Sequence, residues 1–368
     1  MHPLLALLLL LLPGLALAQT IPSETGPIRA VTVTRGLEVP WSMAFLPDGR
    51  MLVTERPGRL RMVARDGGLS APLAGVPKVF ASGQGGLLDV VLDPNFASNR
   101  LVYLSYAEPG DGGAGTAVAR GKLSDSGLQD VQVIFRQQPK VSGGLHFGAR
   151  LAFDRNGLLF IGLGERYRRD EAQILGSHLG KLIRIKPDGS LPPDNPFVGR
   201  TGALPEIYSY GHRNIQGMTL HPETGALWLH EHGAQGGDEI NLPQAGLNYG
   251  WPVITHGVDY SGARIGEGTA KAGMEQPLLH WTPSIAPAGM AFYFGDKFPA
   301  WRGNLFVGSL KFRTLHRVVF ENGKPKYEEA MLKPLGENIR DVRAGPDGYL
   351  YIATDNPEGR IIRLEPAR

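Results

Sequence analysis

Met43-Ala44-Phe45-Leu46-Pro47-Asp48-Gly49-Arg50-Met51-Leu52-Val53 reads as an apolar strand, a Pro-Asp-Gly turn and a second apolar strand, and Gly58-Arg59-Leu60 then starts a third. Asp-Gly between apolar runs is a strong short-range signal for an antiparallel hairpin. The pattern returns at Leu88-Asp89-Val90-Val91-Leu92, where Asp93-Pro94 leads on to Leu101-Val102-Tyr103-Leu104. It returns at Leu151-Ala152-Phe153, where Asp154 to Gly157 leads to Leu158-Leu159-Phe160-Ile161. Met218-Thr219-Leu220 and Leu227-Trp228-Leu229 flank His221 to Gly225, and Met290-Ala291-Phe292 precedes Leu305-Phe306-Val307 after a longer turn. The last unit is Val342-Arg343-Ala344, Pro346-Asp347-Gly348, Leu350-Tyr351-Ile352.

Six such units stand about 45 to 75 residues apart, longer than the usual propeller repeat, so the connecting loops are extended. A hairpin with one apolar face cannot bury it alone, but blades stacked around an axis can. The expected fold is therefore all-β, a six-bladed β-propeller of four-stranded antiparallel blades; an irregular β-sandwich is the alternative. Ile28 to Val33 is expected to pair with the last unit, Asp341 to Leu364, closing the ring and removing exposed edges. No linker divides the chain, so residues 19–368 read as one domain.

Composition agrees. The chain has 368 residues with 50 Gly and 29 Pro, favouring turns over long helices. It has no cysteine, which excludes disulfides, thiolate metal sites and cysteine nucleophiles. The net charge is +3, from 38 basic and 35 acidic residues without a basic stripe, so no nucleic-acid partner is expected. Leu4 to Ala18 is a leucine-rich run broken by Pro13-Gly14 and ending in Ala16-Leu17-Ala18. That is an A-x-A cleavage pattern on a run short for a bilayer span. Residues 1–18 thus read as a signal peptide cleaved after Ala18, giving a periplasmic or secreted protein without a stable membrane anchor.

In a propeller, loops at one end of the blades converge on the axis, so distant polar segments can build one site. Gly83-Gln84-Gly85-Gly86-Leu87-Leu88-Asp89 sets one glutamine among glycines that permit close approach of a flat ligand. Gly143-Gly144-Leu145-His146-Phe147-Gly148 does the same for a histidine, the commonest general base. Tyr210-Gly211-His212-Arg213-Asn214-Ile215-Gln216-Gly217 offers a guanidinium fork beside an amide, suited to carboxylates and carbonyls. His230 to Asn241 is a glycine-rich loop with acidic groups and main-chain carbonyls, the oxygen donors calcium takes. His230 and His232 are two imidazoles, short of the ligand count of a zinc site. Gly308-Ser309-Leu310-Lys311-Phe312-Arg313 and Glu337-Asn338-Ile339-Arg340-Asp341-Val342 each bring a cation to a strand end. Each segment alone is equally a turn or a surface charge; together they outline a site for an anionic planar ligand with a hard metal.

These segments, in this order, resemble the soluble PQQ-dependent aldose sugar dehydrogenases of the glucose/sorbosone dehydrogenase-like family, from about Leu37 to Leu364. The resemblance implies oxidation of aldose sugars at the anomeric carbon to lactones with pyrroloquinoline quinone (PQQ) and calcium, electrons passing to an external acceptor. It implies that His146 is the base for the anomeric hydroxyl and that Arg213 lies by the reacting quinone oxygens. Gln84, Arg213, Asn214, Tyr260, Lys311, Phe312, Arg313, Arg340, Asp341 and Val342 are the implied cofactor contacts. Gly233 and Ala234 are implied to hold the calcium beside PQQ, and Glu239 and Tyr249 a second, structural one. A monomer or loose dimer is expected. The chain departs from the family pattern at Gly164-Glu165-Arg166-Tyr167-Arg168-Arg169, where many members have Gly-Asp and a smaller run. It departs also at Asn338, which takes the place of an arginine, and at Ala234, which takes that of a common proline. A calcium-dependent propeller lactonase and a non-catalytic binding propeller are the alternative readings.

Overall fold

A computed structural model describes residues 19–367, and the expected signal peptide lies outside them. Strand follows strand almost without helix, in six antiparallel sheets around a common axis. Blade I comprises Pro40–Phe45, Met51–Glu55 and Arg59–Val63, and bridges from Leu60 to Leu73 and from Val63 to Leu69 stand in the place of an outer strand. Blade II comprises Leu87–Leu92, Leu101–Gly110, Gly113–Ser124 and Gly127–Arg136. Blade III comprises Gly148–Phe153, Leu159–Leu163, Lys181–Ile185 and Ile207–Tyr210. Blade IV comprises Ile215–Leu220, Leu227–Glu231, Asp238–Asn241 and Leu279–Trp281. Blade V comprises Pro287–Phe292, Leu305–Ser309, Thr314–Glu321 and Lys324–Met331.

Blade VI is assembled from both ends of the chain. Ile339–Ala344, Leu350–Thr354 and Gly359–Pro366 are joined by Ile28–Leu37, which pairs with the last strand from Ile28 opposite Pro366 to Leu37 opposite Gly359. Gln19–Ile21 adds a short outer strand to the same sheet. The innermost strands of blades VI and I then pack together, so the ring closes without a free inner edge. Among the described residues no helix is long and apolar enough to cross a membrane.

The inner hairpin turns share one geometry. Leu46 N donates to Arg50 O at 2.8 Å, Asp154 N to Leu158 O at 2.9 Å and Gly345 N to Tyr349 O at 2.8 Å. In each, the glycine before the second strand has a positive φ, 84° at Gly49, 77° at Gly157 and 83° at Gly348, a conformation open to glycine at no steric penalty. Alternating apolar side chains of these strands pack between neighbouring blades; one such layer holds Leu151, Leu159, Ile161, Ile183 and Ile207 with Tyr103 and Val118 of blade II.

One feature repeats in all six blades and positions the site. Each innermost strand carries a register shift near its start, between Pro40 and Ser42, Leu87 and Val90, Gly148 and Leu151, Ile215 and Gly217, Ala288 and Met290, and Ile339 and Asp341. A bulge leaves a residue out of the ladder and re-aims its side chain. The residues so released include Trp41, Arg150, Gln216 and Arg340. At the axis the Arg150 guanidinium lies 4.0 Å from the Trp41 ring centroid and donates to Gln216 O at 2.7 Å, Arg340 O at 3.1 Å and Asp341 Oδ1 at 2.9 Å.

Candidate active site

His146 sits in the loop ahead of the first strand of blade III with a φ of 51°, unusual for a residue with a side chain. Three contacts fix it. Its main-chain N donates to Gln84 Oε1 at 2.8 Å, which ties it to the glycine loop of blade II. Its Nδ1 pairs with Glu165 Oε2 at 2.8 Å, and its ring packs against Tyr167 with centroids 5.5 Å apart. A carboxylate only accepts, so Nδ1 carries the proton and Nε2, which has no partner among the described residues, is left as a base. Glu165 is itself held, accepting from Tyr167 N at 2.6 Å and donating its own N to Arg213 O at 2.9 Å.

Arg213 and Asn214 lie between blades III and IV. Asn214 bridges to Gly164, and its Oδ1 accepts from Gly148 N at 3.1 Å and Gln216 Nε2 at 3.2 Å. The Arg213 guanidinium donates to the carbonyls of His232 and Gly233 and stands 5.2 Å from the Trp251 ring centroid. Its main-chain N donates to Glu231 Oε2 at 2.5 Å, and the other oxygen of that carboxylate pairs with His212 Nδ1 at 2.8 Å. Arg340, released by its bulge, reaches Asp355 Oδ2 at 2.5 Å and Gln216 Oε1 at 3.4 Å. Among the described residues, Arg213 Nε, Asn214 Nδ2 and Arg340 Nε are buried without a hydrogen-bond partner. Unmet buried donors carry a desolvation penalty that a ligand with acceptors removes. Lys311 is exposed, makes no ion pair among the described residues, and holds its Nζ 5.5 Å from the Phe312 ring centroid.

The remaining residues of the expected set fall in several places. Gln84 and Arg340 line a small axial cavity of about 60 Å³ with Trp41, Arg56, Gln216 and His232. A separate cleft of about 550 Å³ holds Tyr260 and Tyr167, each 62% exposed, with Glu165, Arg213, Ala234 and Trp251. Phe312 and Arg313 lie on the surface next to Lys311. Asp341 and Val342 are fully buried away from the cavity. The Asp341 carboxylate accepts from Met43 N, Arg150 and Arg343, and Val342 packs in the apolar layer of blade VI. The alternation of a strand accounts for this: a run of three residues beside a site cannot point all its side chains into it.

The oxygen donors gather on blade IV. Gly233 O accepts from Arg213, while Gly233 N donates to Asp238 Oδ1 at 2.8 Å. Glu239 lines a narrow cavity with Glu231, Tyr249 and Thr255. Burial, and then the nearby Glu231, push the Glu239 carboxyl up to about 8. Asn241 donates to Glu239 Oε2 at 3.2 Å, and Asn241 Oδ1 is buried without a partner among the described residues. The Tyr249 hydroxyl is committed to Leu242 O and Gln244 N and its ring stacks on His212, so what it offers a cation is main-chain oxygen. Among the described residues no three His, Asp or Glu side chains gather in a metal-ligating cluster. His230 and His232 instead each donate Nε2–H to a main-chain carbonyl, of Gly289 and Pro287 respectively.

Sequence reasoning left out three residues of the site. Gln216 lies inside a quoted segment, but only its bulge aims it at Asn214 and Arg340 together. Trp251 and Tyr167 enter the cleft from loops, and the sign of Tyr167 was the departure from the family pattern at 164–169.

The model of the Glucose / Sorbosone dehydrogenase family matches residues 37–363. The aldose sugar dehydrogenase YliI of Escherichia coli K12 is 50% identical over 362 residues, covering 97% of this chain and 98% of that protein. The crystal structure of the soluble aldose sugar dehydrogenase of E. coli in its apo-form superposes with a TM-score of 0.90 at 51% identity, covering 92% of this chain and 100% of that one. The PQQ-bound form of the aldose sugar dehydrogenase of Streptomyces coelicolor superposes with a TM-score of 0.78 at 29% identity, covering 92% of this chain and 97% of that one.

Proposed function

The chain belongs to the glucose/sorbosone dehydrogenase family, and from that premise we propose that it oxidises aldose sugars at the anomeric carbon to lactones with pyrroloquinoline quinone, the electrons leaving to an external acceptor. One observation carries the reading: among the described residues Arg213 Nε, Asn214 Nδ2 and Arg340 Nε are buried without hydrogen-bond partners, and Arg213 and Asn214 are tied through Glu165 N and Gly164 to the carboxylate that orients the His146 ring. A planar ligand rich in carboxylates and carbonyls answers that donor set. The S. coelicolor relative is solved with PQQ bound, which supports the same cofactor here.

Arg213, Asn214 and Arg340, with the exposed Lys311, would hold the cofactor, and Gln84 and Gln216 would line it. Bound there, the quinone would accept the C1 hydrogen of the sugar as hydride. His146 Nε2 takes the proton of the anomeric hydroxyl as the C1–H bond breaks and the carbonyl forms. Glu165 keeps the tautomer that makes this possible and stabilises the resulting imidazolium. Arg213, already desolvated, presents positive charge where negative charge develops. The oxygen-only donors at Gly233, Ala234, Glu239 and Tyr249 suit a hard cation such as calcium. Burial and the nearby Glu231 raise the Glu239 carboxyl, and a divalent ion there would supply the opposite charge that favours its ionised form. The Ala16-Leu17-Ala18 pattern supports cleavage after Ala18 and work outside the cytoplasm.

The test is reconstitution. The chain from Gln19 onward, made in a host without PQQ, is given PQQ, calcium and a panel of aldoses with a redox dye. Dye reduction that needs both additions, and that stops in excess chelator, is expected. No reduction and no binding of PQQ by absorbance titration would overturn the reading and move attention to lactone hydrolysis.

A further inference from the structure

Arg166 is 97% buried, yet among the described residues no carboxylate is a hydrogen-bond partner of its side chain. All three are main-chain carbonyls: Nε donates to Leu145 O at 2.7 Å, Nη2 to Gly143 O at 2.6 Å and Nη1 to Ala114 O at 2.5 Å. The guanidinium lies 3.7 Å from the Phe147 ring centroid, and Arg166 N donates to His146 O at 3.3 Å. The segment thus gripped is Gly143 to Phe147, which carries His146 and begins with two glycines. Glycine has the most backbone freedom to lose, so a base mounted on such a segment needs an outside restraint.

The geometry of the restraint is itself unusual. Arg166 and Tyr167 are consecutive left-handed residues, with φ of 57° and 62°, and His146 opposite them is a third. Such conformations persist where surrounding contacts over-determine them, and they cluster at active sites. The turn they make lets three successive residues act on one histidine: Glu165 on its ring nitrogen, Arg166 on its backbone, and Tyr167 against its ring face. Burial pushes the Arg166 guanidinium down to about 10, so it stays charged at neutral pH and its hydrogen bonds are of the stronger, charge-assisted kind.

We propose that Arg166 is the positioning residue of the base: its planar fork holds the Gly143–Phe147 segment so that His146 meets Glu165 on one side and the substrate hydroxyl on the other. The proposal rests on His146 being the base and goes beyond that reading by assigning what keeps it in place. Lysine cannot substitute fully, because a point ammonium does not span carbonyls that a five-donor fork reaches together.

Arg166→Met keeps the stem over Phe147 and removes the donors; Arg166→Lys keeps the charge. In the apo-protein, proton NMR reads the His146 Nδ1 proton shared with Glu165, and in the PQQ- and calcium-loaded enzyme kcat, KM and cofactor affinity are measured. Arg166→Met is expected to lose the Nδ1 signal to solvent exchange and to lower kcat on the order of 10²-fold, the penalty for a misplaced catalytic group, with KM and PQQ affinity unchanged. Arg166→Lys is expected to recover part of both, and it carries the test if the methionine variant does not fold. A wild-type Nδ1 signal and kcat in Arg166→Met would overturn the proposal, as would a fall in kcat matched by an equal loss of PQQ affinity. Full turnover in His146→Asn would instead sink the functional reading, while the apo-protein NMR would still report on the grip of Arg166.

Discussion

Gly164→Ala is the smallest change that reports on the whole site. Gly164 follows directly on the second strand of blade III and bridges to Asn214. Its backbone is not left-handed, so alanine brings no conformational strain there, only volume. A Cβ would stand 2.0 Å from His146 O and 2.8 Å from Asn214 Oδ1. The first distance is about 1 Å inside the closest real contact, and a misplacement of that size costs on the order of 10²-fold in rate when it reaches a catalytic group. The displacement has nowhere else to go, because His146 is pinned at its N by Gln84 and at its ring by Glu165. Overpacking of this kind also destabilises by about 1–3 kcal/mol. The assay is steady-state dye reduction with PQQ and calcium, beside thermal denaturation of the apo-protein. Gly157→Ala is the control: φ is 77° and nothing lies within 4 Å, so roughly 1–2 kcal/mol of strain is expected there with kcat intact. Wild-type kcat and stability in Gly164→Ala would refute the packing of His146 against Gly164 and Asn214.

His146→Ala is expected to lower turnover by orders of magnitude while PQQ still binds, and unchanged turnover would remove it as the base. Lys311→Ala is expected to weaken PQQ binding in an absorbance titration, since among the described residues its charge answers to no carboxylate; an unaltered titration contradicts its role. Burial, and then the nearby His232, hold the His230 imidazole neutral well below its ordinary 6.5. The unfolded chain therefore takes up a proton that the folded one refuses, and stability present above pH 6.5 drains as pH falls, by about 1.4 kcal/mol per unit from this group. Melting temperatures between pH 7 and pH 5 should fall less steeply in His230→Asn than in the wild-type chain, and equal slopes would rule out His230 as the source.

The six hairpins were legible because each writes its own turn. Asp48-Gly49, Asn156-Gly157 and Asp347-Gly348 are local chemistry, and the fold needs only that such units recur and have no other way to bury their apolar faces. Closure by Ile28 to Val33 followed from the same need. The glycine-flanked histidine, the Arg213-Asn214 pair and the strand-end cations also stood out in one dimension, because packing alone does not call for them.

What the sequence by itself determined is therefore the repeat, the ring and the inventory of charged and amide groups near its axis. What only the tertiary structure decided is their direction. The bulge that opens each innermost strand turns Arg340 and Gln216 towards the axial cavity, while ordinary alternation sends Asp341 into the Arg150–Arg343 network and Val342 into the core. A bulge depends on the register between two strands, and register is a property of the pair rather than of either sequence. Likewise Glu165 and Arg166 meet His146 only because the end of one strand folds back over the approach to its neighbour, a contact between residues nearly twenty apart that neither segment's composition records.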